Sequence, residues 1–308
     1  VTDRFLNLQP VEQTMKNPNQ TNATPTTNNA TEPKNKTTKK HTYRIDYLHR
    51  PGLLLDDAQL SRLVVDLRGV AADCFNPLPD YQCISGRREV LSRNAIAIAR
   101  RPDGRAAGFC SALLIDVEGV GEVLHLGLTC VSLDDRGAGL THLLTTKLLT
   151  QYLLRRPFER VWFSNVACVL SSLGNVALHF DDVFPSPFYR GVPSAKHAAI
   201  AATIDRKHRA DIYIDADAQL DNATFVFRGS NVPGNVFHKE REDGRYHHRE
   251  DALNAFYGGI MRWEAGDEVL QIGHISLRRL LKHGLRTAVI PRKPRRRLVA
   301  FKKAARAA

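Results

Sequence analysis

The sequence lacks most of what would tie it to a membrane, a disulfide scaffold or a metal cluster. Its apolar runs are short and interrupted, well below the roughly 18 residues expected of a membrane span. Val1 to Pro10 do not show the basic-then-apolar pattern of a secretory signal. The five cysteines, Cys74, Cys83, Cys110, Cys130 and Cys168, are odd in number and none forms a Cys-x-x-Cys pair, which argues against a disulfide framework or a zinc site. Reduced thiols fit a cytoplasmic, soluble protein with no transmembrane segment. His247-His248 has no acidic partner at ligand spacing, so no metal is expected. No internal repeat is evident.

Acid is missing from one region. Residues 281–308 carry ten Lys and Arg and no Asp or Glu, and residues 1–41 carry six against three, within a net charge of +12 for the whole chain. The tails therefore hold the basicity and the body is nearly neutral. The run Arg292-Lys293-Pro294-Arg295-Arg296-Arg297 is a cationic tail suited to non-specific contact with nucleic acid or an anionic surface. No aromatic interleaves it, which argues against base stacking. Residues 16–40 have almost no apolar side chain and cannot offset the entropy of ordering. The expected organisation is a disordered polar tail over 1–41, a folded domain over 42–228, an extension of uncertain fold over 229–290 and a basic tail over 291–308.

What is present reads as alternating strands and helices. Tyr43, Ile45 and Tyr47 alternate with polar residues as a strand does, and Leu60, Leu63, Val64 and Leu67 follow an acidic first turn at helical spacing. A short helix is predicted over 87–91, with strands at 95–99, 109–117 and 120–131 and a Pro-Asp-Gly turn at 102–104. Leu140, Leu143, Leu144, Leu148 and Leu153 predict a helix that stops before Pro157. A strand at 161–163, a helix through Leu170 to Phe180, and closing strands at 212–214 and 224–227 complete the domain. Further helices are predicted over 251–263 and 275–285.

The chemistry concentrates where the strand over 120–131 runs through Asp134-Asp135-Arg136-Gly137-Ala138-Gly139 into the helix at Leu140. Glycines let the backbone curl round a ligand, and a helix start offers unpaired N–H groups and the positive end of a dipole. Strand, glycine turn and helix together make a cradle for a pyrophosphate. The loop is neither a Walker loop nor a Gly-x-Gly-x-x-Gly fingerprint.

This loop resembles the cofactor motif of the GNAT acyltransferase superfamily, Arg/Gln-x-x-Gly-x-Gly/Ala, with Arg136 and Gly139 at matching positions and Thr141 where the family usually has Gly or Ala. The motif covers about fifteen residues, and the order of elements extends the resemblance over roughly 42–228. The resemblance implies an α/β (α+β) fold, a mixed but mostly antiparallel central sheet flanked by helices. It implies an enzyme that transfers an acyl group, most simply acetyl from acetyl-CoA, to an amine by direct attack without a metal. The acceptor would be a small molecule or a protein. Arg136, Gly137, Ala138, Gly139, Leu140 and Thr141 would hold the pyrophosphate, Cys130 and Val131 the pantetheine arm, and Asn165 would bond to that arm. Glu122 is the candidate base and Tyr189 the candidate acid, because no Tyr stands in the helix through Phe180 where the family often carries it. Two other readings stay open: a long-chain relative like the autoinducer synthases, and a non-enzymatic protein that binds nucleic acid through its basic tail.

Overall fold

The computed structural model describes residues 42–280; the two tails and the end of the helix expected over 275–285 lie outside the described residues. The chain begins with β1 (Arg44–His49), α1 (Pro51–Leu54) and α2 (Asp57–Ala72), followed by α3 (Arg88–Leu91). A meander follows, of β2 (Asn94–Arg100), β3 (Ala106–Val117) and β4 (Gly121–Val131). Next come α4 (Leu140–Leu153), β5 (Val161–Ala167), α5 (Leu170–His179), β6 (Asp181–Phe184) and α6 (Ala195–Lys207). The last elements are β7 (Gln219–Asp221), β8 (Val226–Arg228), α7 (Asp251–Ile260) and β9 (Glu268–Ile275).

All nine strands join one sheet in the order β1-β2-β3-β4-β5-β9-β8-β7, with β6 also paired to β9. Every pairing is antiparallel except β4 with β5. The fold is thus the mixed, mostly antiparallel sheet with helices that the sequence leads one to expect. Its two faces can be assigned from β2: Ala97 and Ala99 pack with Leu140, Leu144 and Leu148 of α4, whereas Ile96 and Ile98 pack with Leu60, Leu63 and Leu67 of α2. Since neighbouring residues of a strand point to opposite faces, α4 and α2 lie on opposite sides of the sheet. α2 starts at a capping box, in which Asp56 accepts from the Gln59 N–H at 2.7 Å and the Gln59 side chain accepts from the Asp56 N–H at 3.2 Å.

The C-terminal part departs from expectation. The strand expected at 212–214 is not one: a single helical turn covers Ala210–Ile212, and Tyr213 ends it in the left-handed region at φ 64°. Instead β9, lying between two segments expected as helices, enters the middle of the sheet and pairs with β5 from Val161–Ile275 to Ala167–Val269. The boundary expected after residue 228 therefore falls inside the sheet, since β8 ends there and pairs with β9. The helix expected over 251–263 ends at Ile260.

Candidate active site

β4 and β5 run parallel but pair only at Leu124–Phe163, His125–Ser164 and Leu126–Asn165. Beyond these positions they part, because each follows its other neighbour: β5 continues against β9 through Ala167, and β4 continues against β3 to Val131. A bulge marks the parting. Cys110 pairs with Thr129 and Ala112 with Leu126, so Gly127 and Leu128 together face Ser111 alone. Gly127 is required by close approach: a Cβ there would lie 2.2 Å from Gln82 Oε1 and 2.9 Å from Ser111 Oγ.

The gap opens into a cavity of about 780 Å³ that is lined from both faces of the sheet. On the α4 and α5 side its walls include Gly139, Thr141, His142, Ser172 and Asn175. On the α2 side they include Tyr81, Tyr213 and Phe237, with Glu268 beside them. Hence the cavity has two chemically different ends.

The first end is the expected loop. Gly137 and Gly139 have φ 86° and 78°, and no atom stands where a side chain would project from either. Gly139 caps α4 in the left-handed conformation with no side-chain cap, and the first helical bond runs from the Leu143 N–H to the Gly139 carbonyl at 3.3 Å. The amides of Leu140 to His142 are therefore left by the helix for another acceptor. The loop is held from behind. Buried Asp135 accepts from Tyr43 Oη at 2.8 Å and from the Arg101 guanidinium. Asp73, at the end of α2, accepts from Ser132 Oγ at 2.6 Å and the Leu133 N–H at 3.2 Å, and these bonds hold its carboxyl below the usual range.

The expected loop and strand residues divide. Gly139, Thr141 and Asn165 line the cavity, whereas Leu140 is buried under the sheet with α4's apolar stripe. Asn165 is already engaged by its amide, which donates to Gln271 Oε1 at 3.1 Å. Arg136 turns back and donates to the Asp73 carbonyl at 2.9 Å. Gly137 and Ala138 form the curl between them, Ala138 bonding to the Asp135 carbonyl at 3.3 Å. The Ser132 N–H donates to the Ala107 carbonyl at 2.9 Å, so strand alternation turns the backbone N–H of Val131 to the opposite edge of β4, although Val131 itself does not line the cavity. The same alternation turns the backbone of Cys130 toward β3, and its side chain packs in the core beneath α2 rather than in the cavity. A hydrogen bond from that thiol holds Cys74 at about 6.

Neither expected acid–base residue lines the cavity. Glu122 is the second residue of β4, roughly 30 Å of strand from Val131, and does not line the cavity. Its carboxylate is taken up by Arg50 at 2.5 Å, Tyr152 at 2.6 Å and Arg156 at 2.7 Å. Tyr189 also lies outside the cavity, donating to the Val192 carbonyl at 3.2 Å and stacked edge-on against Phe184.

A buried carboxylate outside any sequence motif lines the cavity instead. Glu268, first residue of β9, is 8% exposed and lines the cavity. Ser230 Oγ donates to its Oε2 at 2.7 Å, and burial pushes its carboxyl up to about 7. Tyr81 is buried beside it, and burial raises its phenol as well. The signal that could have found Glu268 was the run Val269-Leu270-Gln271-Ile272 between Gly266 and Gly273, a buried strand with a carboxylate at its head.

Among the described residues, no group of three or more His, Cys, Asp or Glu is placed to hold a metal ion, and no helix is long and apolar enough to cross a membrane.

No family model matches the chain, and no curated protein does. Among solved structures it is similar to GCN5 of Tetrahymena, at 12% identity over 47% of this chain and 83% of that one, with a TM-score of 0.34. It is similar to the aminoglycoside N-acetyltransferase AAC(6')-Iy in complex with CoA, at 18% identity over 50% of this chain and 98% of that one, TM-score 0.34. A GNAT family acetyltransferase from Brucella melitensis in complex with acetyl-CoA is similar at 18% identity over 41% and 75% of the two chains, TM-score 0.30. At identities and TM-scores this low the likenesses carry no chemical inference, and the cavity itself has to.

Proposed function

We propose that this protein is an acyl-CoA-dependent N-acyltransferase, transferring an acetyl group to an amine by direct attack. The observation that carries the reading is the cavity at the parting of β4 and β5, lined from both faces of the sheet, with the uncapped start of α4 at one end and a buried carboxylate at the other. Such a cavity lets two substrates meet from opposite faces, which suits transfer within a ternary complex.

The residues divide the work accordingly. The amides of Leu140, Thr141 and His142, with the dipole of α4 behind them, suit the pyrophosphate of CoA. The open edge of β4 suits the amide groups of a pantetheine arm, taking the place that β5 has vacated. The Val131 N–H, on that edge, would polarise the thioester carbonyl and stabilise the oxyanion that forms on attack. The cofactor supplies the activated acyl carbon; the protein supplies position, an N–H dipole and a water-poor cavity.

Calorimetric titration with acetyl-CoA tests this reading. The wild type is expected to bind at micromolar order. Gly139→Trp is expected to abolish binding, because the new side chain projects into the open space above the loop from a backbone with φ 78°. Absence of acetyl-CoA and longer acyl-CoA binding to the wild type overturns the proposal. Binding to a longer chain only moves it to the long-chain alternative.

A further inference from the structure

The second end of the cavity has a chemistry of its own. Tyr81, Tyr213 and Phe237 form a mutual cluster, with ring centroids 6.0 Å apart for Tyr81–Tyr213, 5.5 Å for Tyr81–Phe237 and 5.0 Å for Tyr213–Phe237. Their interplanar angles of 73°, 60° and 75° set the rings at steep angles to one another. Phe75 backs the cluster at 5.2 Å from Phe237.

Glu268 lies at the same end and lacks what its sequence neighbour has. Asp267, whose side chain is fully buried, is neutralised by Arg228 at 2.8 Å and Arg262 at 3.1 Å. Among the described residues, no cation lies within ion-pair distance of the Glu268 carboxylate, and Ser230 is its one hydrogen-bonding side chain. The titratable groups facing it are Lys239 from the 231–243 loop, Tyr81 from the segment before α3, and Cys168 after β5. The Lys239 ammonium is occupied by the carbonyls of Val236 at 3.2 Å and His238 at 3.1 Å. A buried carboxylate with no cation of its own is costly unless an incoming group matches it. Aromatic rings beside it make that group an organic cation.

We propose that Glu268 is the general base of the transfer and that Tyr81, Tyr213 and Phe237 form with it a subsite for an acceptor bearing a primary ammonium next to a flat or apolar body, an inference that rests on the acyltransferase reading. Glu268 takes one proton from the ammonium and frees the nitrogen lone pair. The nitrogen forms a C–N bond to the acyl carbon as the C–S bond breaks, and the electron pair of that bond leaves with the CoA thiolate. The second proton from nitrogen neutralises the thiolate, and Glu268 returns its own to solvent. The products are amide, CoA thiol and one released proton. A carboxyl that titrates near neutrality both accepts and releases the proton readily.

The test uses the full chain, acetyl-CoA and benzylamine as probe acceptor, with release of free thiol followed across pH. The wild type is expected to turn over with a rate that climbs as pH rises to about 7 and then levels. Glu268→Gln should lose about 10²–10⁴-fold in kcat and lose that acid limb, while its calorimetric affinity for acetyl-CoA stays unchanged. Glu268→Asp, which keeps a carboxylate, should restore the limb and part of the rate. Phe237→Ala should raise the KM for benzylamine about tenfold with kcat little altered. If the wild type binds acetyl-CoA but neither binds nor acetylates benzylamine, the acceptor class is wrong. If Glu268→Gln keeps its rate and limb, the base is wrong. A wild type that binds no acyl-CoA overturns the underlying reading and this inference with it.

Discussion

Two glutamates on one sheet, Glu122 half-buried and Glu268 buried, differ most in their partners. Glu122 accepts from two guanidinium groups and a phenol, so its charge is matched and its lone pairs are filled. Glu268 is buried but holds a single hydroxyl, and its remaining capacity faces a cavity. The first arrangement locks β1's end, β4 and α4 together through Arg50, Tyr152 and Arg156; the second leaves room for a proton and a ligand. Glu122→Gln is therefore expected to behave as a stability variant. Removing one partner of a buried charge network costs about 3–5 kcal/mol, and the part exposure of Arg50 and Arg156 brings the expected loss toward about 2–3 kcal/mol. Denaturant unfolding should register that loss while kcat with benzylamine stays at the wild-type value. A large fall in kcat with unchanged stability would restore the catalytic role expected from the sequence.

At the scale of elements, the loop between β4 and α4 depends on groups far away in sequence. Tyr43 and Arg101 hold Asp135, and Asp73 holds Ser132 and Leu133, so β1, the β2–β3 turn and the end of α2 all fix one curl. Asp135→Ala would remove the buried carboxylate that Tyr43 and Arg101 share. The expected result is a loss of about 1–3 kcal/mol in unfolding free energy and about tenfold weaker acetyl-CoA binding by calorimetry, since a loose loop must be ordered on binding. The curl itself was legible in the sequence, because glycine and the Leu140-Leu144-Leu148 spacing are local signals. The anchors were not, because nothing local links Tyr43 to Asp135. Ile212–Ile214 misled for a related reason: a short apolar run fits a strand or a buried turn equally, and Tyr213's left-handed backbone decided it. β9 escaped notice since Val269 to Ile272 face both sides of a sheet and show no alternation. Without β9 in the sheet Glu268 has no cavity to belong to, and the sequence alone points to β4 for a carboxylate.

For the whole molecule, the buried ionisable groups pull stability in opposite directions with pH. Glu268 is raised from 4.5 to about 7 by burial, so the folded chain keeps a proton that the unfolded chain has already lost. Its contribution is full below about pH 4.5 and is lost as pH rises through 7. His125, buried against Ser164 at 2.9 Å, is lowered from 6.5 to about 3, again by burial. There the unfolded chain takes up the proton first, so its contribution is full above pH 6.5 and is lost as pH falls toward 3. Between pH 4.5 and 6.5 the two oppose each other, while His49 and His274, also lowered by burial, add to the side of His125. Asp211 and Asp221, held down at about 2 by hydrogen bonds from His208 and Arg228 respectively, add a further loss only as pH falls below their ordinary 3.8. Glu268→Gln removes one side of the balance and leaves the others. Its unfolding free energy, compared with that of the wild type, should gain steadily from pH 4.5 to 7, by on the order of 3 kcal/mol in total. Denaturant melts of both proteins at pH 4.5, 5.5 and 7 measure that difference with the histidine and aspartate terms cancelled. A difference that does not change with pH would mean that Glu268 titrates as an ordinary carboxylate, open to water and not enclosed at the end of the cavity.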